Sequence, residues 1–396
     1  MALYLDAAAT APMRREALEA MWPYLTGEFG NPSSQHSLGE RAAAGLREAR
    51  RSVAGVLGCR ASEVTFTSGG TEGANLAIKG LALANPRGRH VVTAGIEHEA
   101  VLASVDYLAR VHGFEVSLVP VTEAGVVAPE ALREVLRADT TLVSIALANN
   151  EIGTVQDIRA LAGLAHEVGA LVHTDAVQAA GWLDLDVSAL GVDALSISGH
   201  KVGAGKGIGA VFLRGRLAVE PVLHGGGQER ERRSGTENVA GAVALGVALA
   251  RVESERAERA AGLGPAMAAF TAEILEQVPT AQLTGVPPAR AGSQQGASQR
   301  EATSAVGRLP NHASFCFPGV SGEAVLLELE RRGVISSSGS ACAAGSDEAS
   351  HVLLACGIEA EVAQTSVRFT AGQDVTPAEL EQVAALVAEA VAAVGS

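Results

Sequence analysis

Between residues 60 and 215, short β-rich runs alternate with helical patterns, and no other feature constrains the fold as strongly. The runs are VTFTS (64–68), HVVTA (90–94), EVSLVPV (115–121), TLVSIALANN (141–150), ALVHTDA (170–176), DALSISG (193–199) and GAVFLR (209–214). Segments 71–84, 99–112, 129–138 and 157–168 between them read as helices. Parallel strands need long crossovers, so this rhythm predicts an α/β architecture: a mainly parallel seven-stranded sheet covered on both faces. After a helical stretch over 237–277 the pattern changes. NHASFCFPG (311–319), a helix EAVLLELERRG (323–333), TSVRFTAG (365–372) and a terminal helix (377–394) predict a smaller α+β unit. A chain of 396 residues exceeds one small core, so two domains are expected. The expected boundaries are 13–256 for the large domain, with 1–12 and 257–396 forming the small one. Segment 287–306, rich in Ser, Gln, Ala and Gly without an apolar period, reads as a flexible surface insertion.

Composition narrows the function. Aromatic residues are only 3%, so Ala, Val, Leu and Gly carry the apolar load, which favours helix–sheet packing. A net charge of −14 argues against direct binding of nucleic acid, which needs a basic face. The longest apolar stretch, VAGAVALGVALA (239–250), is too short to span a bilayer. MALYLDAAATAP runs straight into strand-and-turn sequence without a leader, so no membrane association and a cytoplasmic location are expected. Cys59, Cys316, Cys342 and Cys356 show no CxxC pair and no metal-ligand spacing, which predicts free thiols in a reducing compartment and no metal site.

Lys201 is one of only three lysines, beside 27 arginines. It ends DALSISGHK (193–201), a buried-strand pattern that delivers Ser-Gly-His-Lys into the turn VGAGKGIG (202–209). Desolvation there would favour a nucleophilic free amine, as Schiff-base chemistry with a carbonyl cofactor requires. Lys79 lies in a helix and Lys206 further into the turn, so a pyridoxal enzyme would have little choice. TFTSGGTEGANLAIKG (65–80) joins a strand to a helix through glycines, placing Gly70 and Thr71 at a helix start. It is either a phosphate cradle or an ordinary βα turn. Asp175, in HTDAVQAAG (173–181), ends an apolar strand. It is either a cap or the partner of a protonated pyridine nitrogen, with Gln178 then near the ring's phenolic oxygen. His98 in GIEHEAV and Asn150 in NNEIGT also follow strands, where a structural histidine and a plain turn are the bland alternatives. Cys342 sits in VISSSGSACAAGS (334–346), whose small neighbours cannot build a core, so an exposed functional thiol is favoured. Arg368 lies within a strand and needs an anion, either a neighbouring carboxylate or that of a substrate. The phosphate, ring and carboxylate candidates converge on strand ends, where α/β folds place ligands.

Taken together, TSGGTEGANLAIKG, EHEAV, NNEIGTVQD, HTDAVQAAG, SISGHKVGAGKGIGA, GGGQERERRSGTEN, SSGSAC and SVRFT resemble, in order and spacing, the pyridoxal-phosphate cysteine desulfurases. These are fold-type-I enzymes of the class V aminotransferase group. The resemblance runs from LDAAATAP to the last helix, apart from 287–306. It implies pyridoxal 5'-phosphate as cofactor, with Lys201 as its covalent lysine, Asp175 at the pyridine nitrogen and Gln178 at the phenolic oxygen. His98 is similar to the histidine that covers the ring and moves protons. Gly70, Thr71, Ser198 and His200 match phosphate contacts. Thr236 in RSGT resembles the residue that reaches the phosphate of a neighbouring subunit, which implies a homodimer. Asn150 and Arg368 match the groups that hold the substrate carboxylate, and Cys342 matches the catalytic cysteine of the subgroup with a longer loop. Two departures stand out: Gly203, Ala204 and Gly205 follow the lysine where the family commonly has Tyr and Pro, and Ala11 replaces a second Thr.

The resemblance therefore implies conversion of L-cysteine to L-alanine, with sulfur held as a persulfide on Cys342. The sulfur would pass to an acceptor such as an iron–sulfur scaffold, or towards thiolated nucleosides. A selenocysteine lyase or cysteine sulfinate desulfinase would share the cofactor site but not the need for the thiol. An aminotransferase of this fold has no use for SSGSAC, and a non-catalytic assembly protein would have no need of the cofactor residues.

Overall fold

The computed structural model describes residues 2–85, 87–288, 306–339, 348–372 and 374–395. Cys342 and nearly all of the 287–306 segment lie outside these residues. Seven strands form the central sheet: β1 (Val64–Thr67), β2 (His90–Ala94), β3 (Glu115–Val119), β4 (Thr140–Ser144), β5 (Leu171–Asp175), β6 (Ala194–Ser198) and β7 (Gly209–Leu213). Their order is β1-β7-β6-β5-β4-β2-β3, and only β7 runs antiparallel to its neighbours. Every residue of β1, β2, β4, β6 and β7 is buried, as expected for Val-, Ile- and Thr-rich strands covered on both faces. The expected α/β class is therefore the observed one.

The edge strand β1 is covered by side chains and not by another strand. The carbonyl of Val64 accepts from Arg50 (2.8 Å) and Arg230 (2.5 Å), and the Phe66 amide donates to Glu229 (3.2 Å). Arg50 grips the same carboxylate through both Nη atoms, at 2.6 and 2.7 Å. Glu229, Arg230 and Glu231 all adopt positive φ, 50°, 59° and 66°. Three such non-glycine residues cost about 3–6 kcal/mol. The charge-assisted bonds to buried Glu229, each worth about 1.5–3 kcal/mol, are of the size needed to hold this turn. The cap thereby protects an edge that would otherwise offer free backbone groups.

A second, antiparallel sheet is built from β8 (Gln282–Leu283), β9 (His312–Cys316) and β10 (Ser366–Thr370), with β9 in the middle. The 39-residue helix Val239–Gln277 runs alongside the helices Arg15–Thr26, Ser37–Val56 and Pro377–Val394. Small residues let it approach closely: a Cβ on Gly246 would lie 3.1 Å from the Ala49 Cα. The terminal helix starts with a capping box between Thr376 and Glu379.

Residues 3–12 form a strap between the two sheets. Leu3–Tyr4 pairs with Val334–Ile335, the Thr370 amide donates to Leu5 O (2.7 Å), and the Ala8 amide donates to Thr370 Oγ1 (2.8 Å). Further along, the Ala11 amide donates to His200 O (2.8 Å), and the Arg14 amide to Gly203 O (2.9 Å). The strap thus fixes β10 relative to the turn after β6.

His173 in β5 is fully buried between Ser144 Oγ (2.9 Å) and Ser196 Oγ (3.2 Å), and burial pushes its pKa from 6.5 down to about 3. Between these values the unfolded chain binds a proton that the folded chain refuses. Its contribution to stability is therefore full above pH ~6.5 and is lost as the pH falls towards 3. His173→Gln is expected to flatten the fall in urea-unfolding stability between pH 6.5 and 4.5 by about 1 kcal/mol per pH unit. An unchanged slope would contradict this assignment.

Candidate active site

Six of the seven central strands point the same way, so their C-terminal ends lie along one sheet edge, and all of these six but β3 contribute a turn to the site. After β1, the turn at Gly69–Gly70 opens the helix Gly70–Ala84. Glycine is needed at this approach, because a Cβ on Gly209 would fall 2.7 Å from the Gly69 backbone. After β2, His98 caps the helix Glu99–His112, its Nδ1 accepting the Ala100 amide at 3.1 Å. A neutral ring so engaged carries its proton on Nε2. After β4, Asn149 makes a tight turn: its Oδ1 accepts from the Glu151 and Ile152 amides, and its Nδ2 donates to Ile96 O at 2.7 Å. That turn sets Asn150 on the cavity wall.

Asp175 ends β5, accepts the Val177 amide at 2.9 Å and caps no helix. After β6, Gly199–Lys201 forms one 3₁₀ turn, which puts His200 and Lys201 on the same wall as Ser198. Lys201 Nζ donates to the strap carbonyls of Ala8 and Ala9, the latter at 2.7 Å, and Gln178 Nε2 also donates to Ala8 O (3.0 Å).

A single cavity of about 300 Å³ gathers Gly70, Thr71, His98, Asn150, Asp175 and Gln178. Ser198, His200, Lys201 and Arg368 complete its wall. The volume falls at the lower end of the ~300–1,000 Å³ typical of small-ligand sites. Of the three lysines, only Lys201 lines it: Lys79 lies over the Tyr107 ring at 4.3 Å, and Lys206 is exposed. Arg368 pairs with Asp6 (2.8 Å) and donates to Asn150 O (3.1 Å), so a neighbouring carboxylate already meets part of its need. Its Nε is buried without a hydrogen-bond partner among the described residues. Thr236 is exposed and lies outside the cavity. Cys342 is not described, but the chain leaves the described part at Gly339, on the cavity wall. Three residues of chain reach at most ~10 Å.

Burial raises the Asp175 pKa, while the Val177 amide and the charges of His98 and Lys201 oppose the rise. A buried carboxyl that remains raised has room for a further cation beside it. His200 is pushed down to about 4 by burial and by Lys201 and Lys206, so it is neutral at pH 7. Residue-by-residue reasoning had passed over Glu97, which is 1% exposed beside His98. Both its oxygens accept the Ala146 amide at 3.0 Å. Burial raises it to about 8, against the pull of that amide and with help from the Asp175 charge. Its flanking sequence EHE reads as a solvated helix start, which hid it. Asp6 and the carbonyls of Ala8 and Ala9 had no local signal at all.

The folded state keeps the Glu97 proton up to about pH 8, whereas an unfolded chain loses it above 4.5. Its contribution to stability is therefore full below 4.5 and is lost as the pH rises through 8. Glu97→Gln is expected to stabilise the protein relative to wild type by roughly 1 kcal/mol or more at pH 8, with a smaller gain at pH 5. Paired urea titrations check this; equal differences at both pH values would show that Glu97 is already ionised.

With this geometry in place, comparison with known proteins is informative. The aminotransferase class-V family model matches residues 3–383. The cysteine desulfurase IscS of Methanosarcina thermophila is 42% identical, over 98% of this chain and 92% of that protein. The cysteine desulfurase IscS of Dictyoglomus turgidum is also 42% identical, over 96% of this chain and 91% of that protein. Among solved structures, a NifS-like protein superposes with a TM-score of 0.87 at 32% identity, covering 99% of this chain and 100% of that one. A structure of SspA in complex with cysteine superposes with a TM-score of 0.75 at 32% identity, covering 93% and 98%. The chain belongs to the aminotransferase class-V family, among its cysteine desulfurases.

Proposed function

We propose that this protein is a pyridoxal-phosphate-dependent cysteine desulfurase that converts L-cysteine to L-alanine and carries the sulfur as a persulfide on Cys342. One observation carries the reading: the amine of Lys201 and the buried carboxyl of Asp175 share a cavity whose wall runs to Gly339, three residues before that cysteine. The likeness to SspA, solved with cysteine, supports the substrate.

The donor set fits the cofactor. Lys201 would hold its aldehyde carbon, and the helix start at Gly70 and Thr71, with Ser198 and His200, would hold the phosphate. Asp175, whose raised pKa leaves room for a cation, would hold the pyridine N–H, and Gln178 the phenolic oxygen. Bound there, pyridoxal 5'-phosphate supplies an electron sink for negative charge developing on the substrate. Arg368, fixed by Asp6 and Asn150 O, orients the substrate carboxylate with Asn150. The Lys201 amine and His98 Nε2 move protons, each held by the main-chain contacts described above. The Cys342 thiolate attacks the substrate sulfur, an S–S bond forms as the C–S bond breaks, and the C–S electron pair stays with the substrate carbon, which takes up a proton before alanine leaves.

The remaining thiols are poor candidates for this step. None lines the cavity, and burial pushes Cys59, Cys316 and Cys356 up to about 12, 12 and 11. At neutral pH they are thiols, not thiolates. Thr236, exposed on the segment after the left-handed turn, is free to reach the phosphate site of a second subunit in a homodimer. A sulfur-acceptor protein, such as an iron–sulfur scaffold, would take the persulfide. We assign the cofactor site to residues 13–256 and the Cys342 loop to the smaller unit. Among the described residues no helix is long and apolar enough to cross a membrane, and no cluster of three metal-ligating side chains occurs.

Incubation with L-cysteine and a reductant tests the reading. Wild type is expected to release alanine and sulfide in equal amounts. Cys342→Ala is expected to bind the cofactor normally but release neither. Lys201→Ala is expected to lose the visible absorbance of the lysine-bound cofactor and at least ~100-fold in rate. Sulfide from Cys342→Ala at the wild-type rate would rule out the persulfide step.

A further inference from the structure

The strap has a second side. Ala8 and Ala9 line the active-site cavity, whereas Ala7, Ala11 and Pro12 line another of about 240 Å³, far above the ~30 Å³ share of one water. Val177, Gln178 and Lys201 border both. Much of the second cavity is apolar, with Leu3, Trp182, Val202 and Val252 in its wall. Into this wall is set the guanidinium of Arg259, stacked over the Trp182 ring at 4.1 Å.

Arg259 Nε and Nη1 are both buried, and neither has a hydrogen-bond partner among the described residues. Arg259 also forms no ion pair among them; Glu255 is taken by Arg14 at 2.6 Å and Arg251 at 2.7 Å. Asp374 stands at the cavity as an exposed residue, and Glu379 is occupied by the Thr376 cap. On the same wall, Asn311 Oδ1 is buried and unpartnered, while its Nδ2 donates to Ala371 O (3.1 Å). A half-buried guanidinium with two buried, unspent donors carries a desolvation cost that the charges of Glu255 and Asp374 offset only in part and that an anion would relieve further. The surrounding indole and aliphatic groups favour an anion with an apolar body over a small inorganic ion.

We propose that this second cavity binds a small organic carboxylate, its charged end on Arg259 and its apolar end against Trp182 and Val252. The site is separate from the one that would hold the substrate carboxylate on Arg368, and it shares with that cavity the wall carrying Lys201 and Gln178.

The test is calorimetric titration of the cofactor-loaded protein with propionate, with 1-propanol and chloride as controls. Wild type and Asn150→Ala, which alters only the active-site cavity, are expected to bind one propionate per chain, and Arg259→Gln to bind at least tenfold more weakly. Arg259→Gln is expected to keep a single cooperative melt, so that weaker binding is not a loss of fold. Absence of saturable propionate binding would overturn the proposal, as would equal binding by Arg259→Gln or chloride binding as tightly as propionate. Binding lost in Asn150→Ala but kept in Arg259→Gln would place the propionate in the active-site cavity and also overturn it. None of these outcomes bears on the desulfurase reading, which stands or falls on Cys342 and Lys201.

Discussion

The active site depends on the fastening of residues 3–12, a strap with no regular structure beyond its first two residues. One end is held by β10 through Thr370 and by the Asp6–Arg368 pair, in which Arg368 is almost wholly buried. The other end is held by the turn after β6, through His200 and Gly203. Between these anchors, the carbonyls of Ala8 and Ala9 receive the Lys201 amine and the Gln178 amide. A buried ion pair broken on one side costs about 3–5 kcal/mol. Losing Asp6 would therefore loosen the small sheet, the strap and the lysine together. One segment thus positions the groups proposed to hold the cofactor and those proposed to hold the substrate.

Electrostatic balance follows from that placement. Two carboxyls, Glu97 and Asp175, are buried close enough for the charge of one to act on the other, and burial raises the pKa of each. His200 stays neutral because it is half-buried beside two lysines. At neutral pH the cavity therefore avoids stacking like charges, and a cationic ring nitrogen would find its partner in Asp175. The three described thiols lie away from this cavity, and burial raises the pKa of each. Reactivity is thus concentrated where the strand ends meet.

The strand ends were legible because β-branched runs stop at Gly, Asn or Asp, and those breaks are also where the site residues sit. Lys201 was legible through scarcity, and Arg368 through the oddity of a charge within a strand. The helices Arg15–Thr26 and Ser37–Val56 were not read from the sequence. The buried stripe of the second keeps a helical period, but beside Gly39, Ala42, Gly45, Ala49 and Ala54 only Leu46 and Val53 are large apolar residues. The cap on β1 was invisible for a different reason: Arg50 and Glu229 lie 179 residues apart, and neither has a local signature. Glu97 was passed over because charged neighbours mask burial, and the strap because its role rests on carbonyls that every residue possesses.

The central claim is that sulfur from cysteine is held covalently on one thiol of four. Peptide mass analysis after brief exposure to L-cysteine, without reductant, measures this directly. The account predicts one added sulfur atom on the peptide bearing Cys342 and none on those bearing Cys59, Cys316 or Cys356. Alanine accumulating with no sulfur on Cys342, or with sulfur on another cysteine, would contradict it.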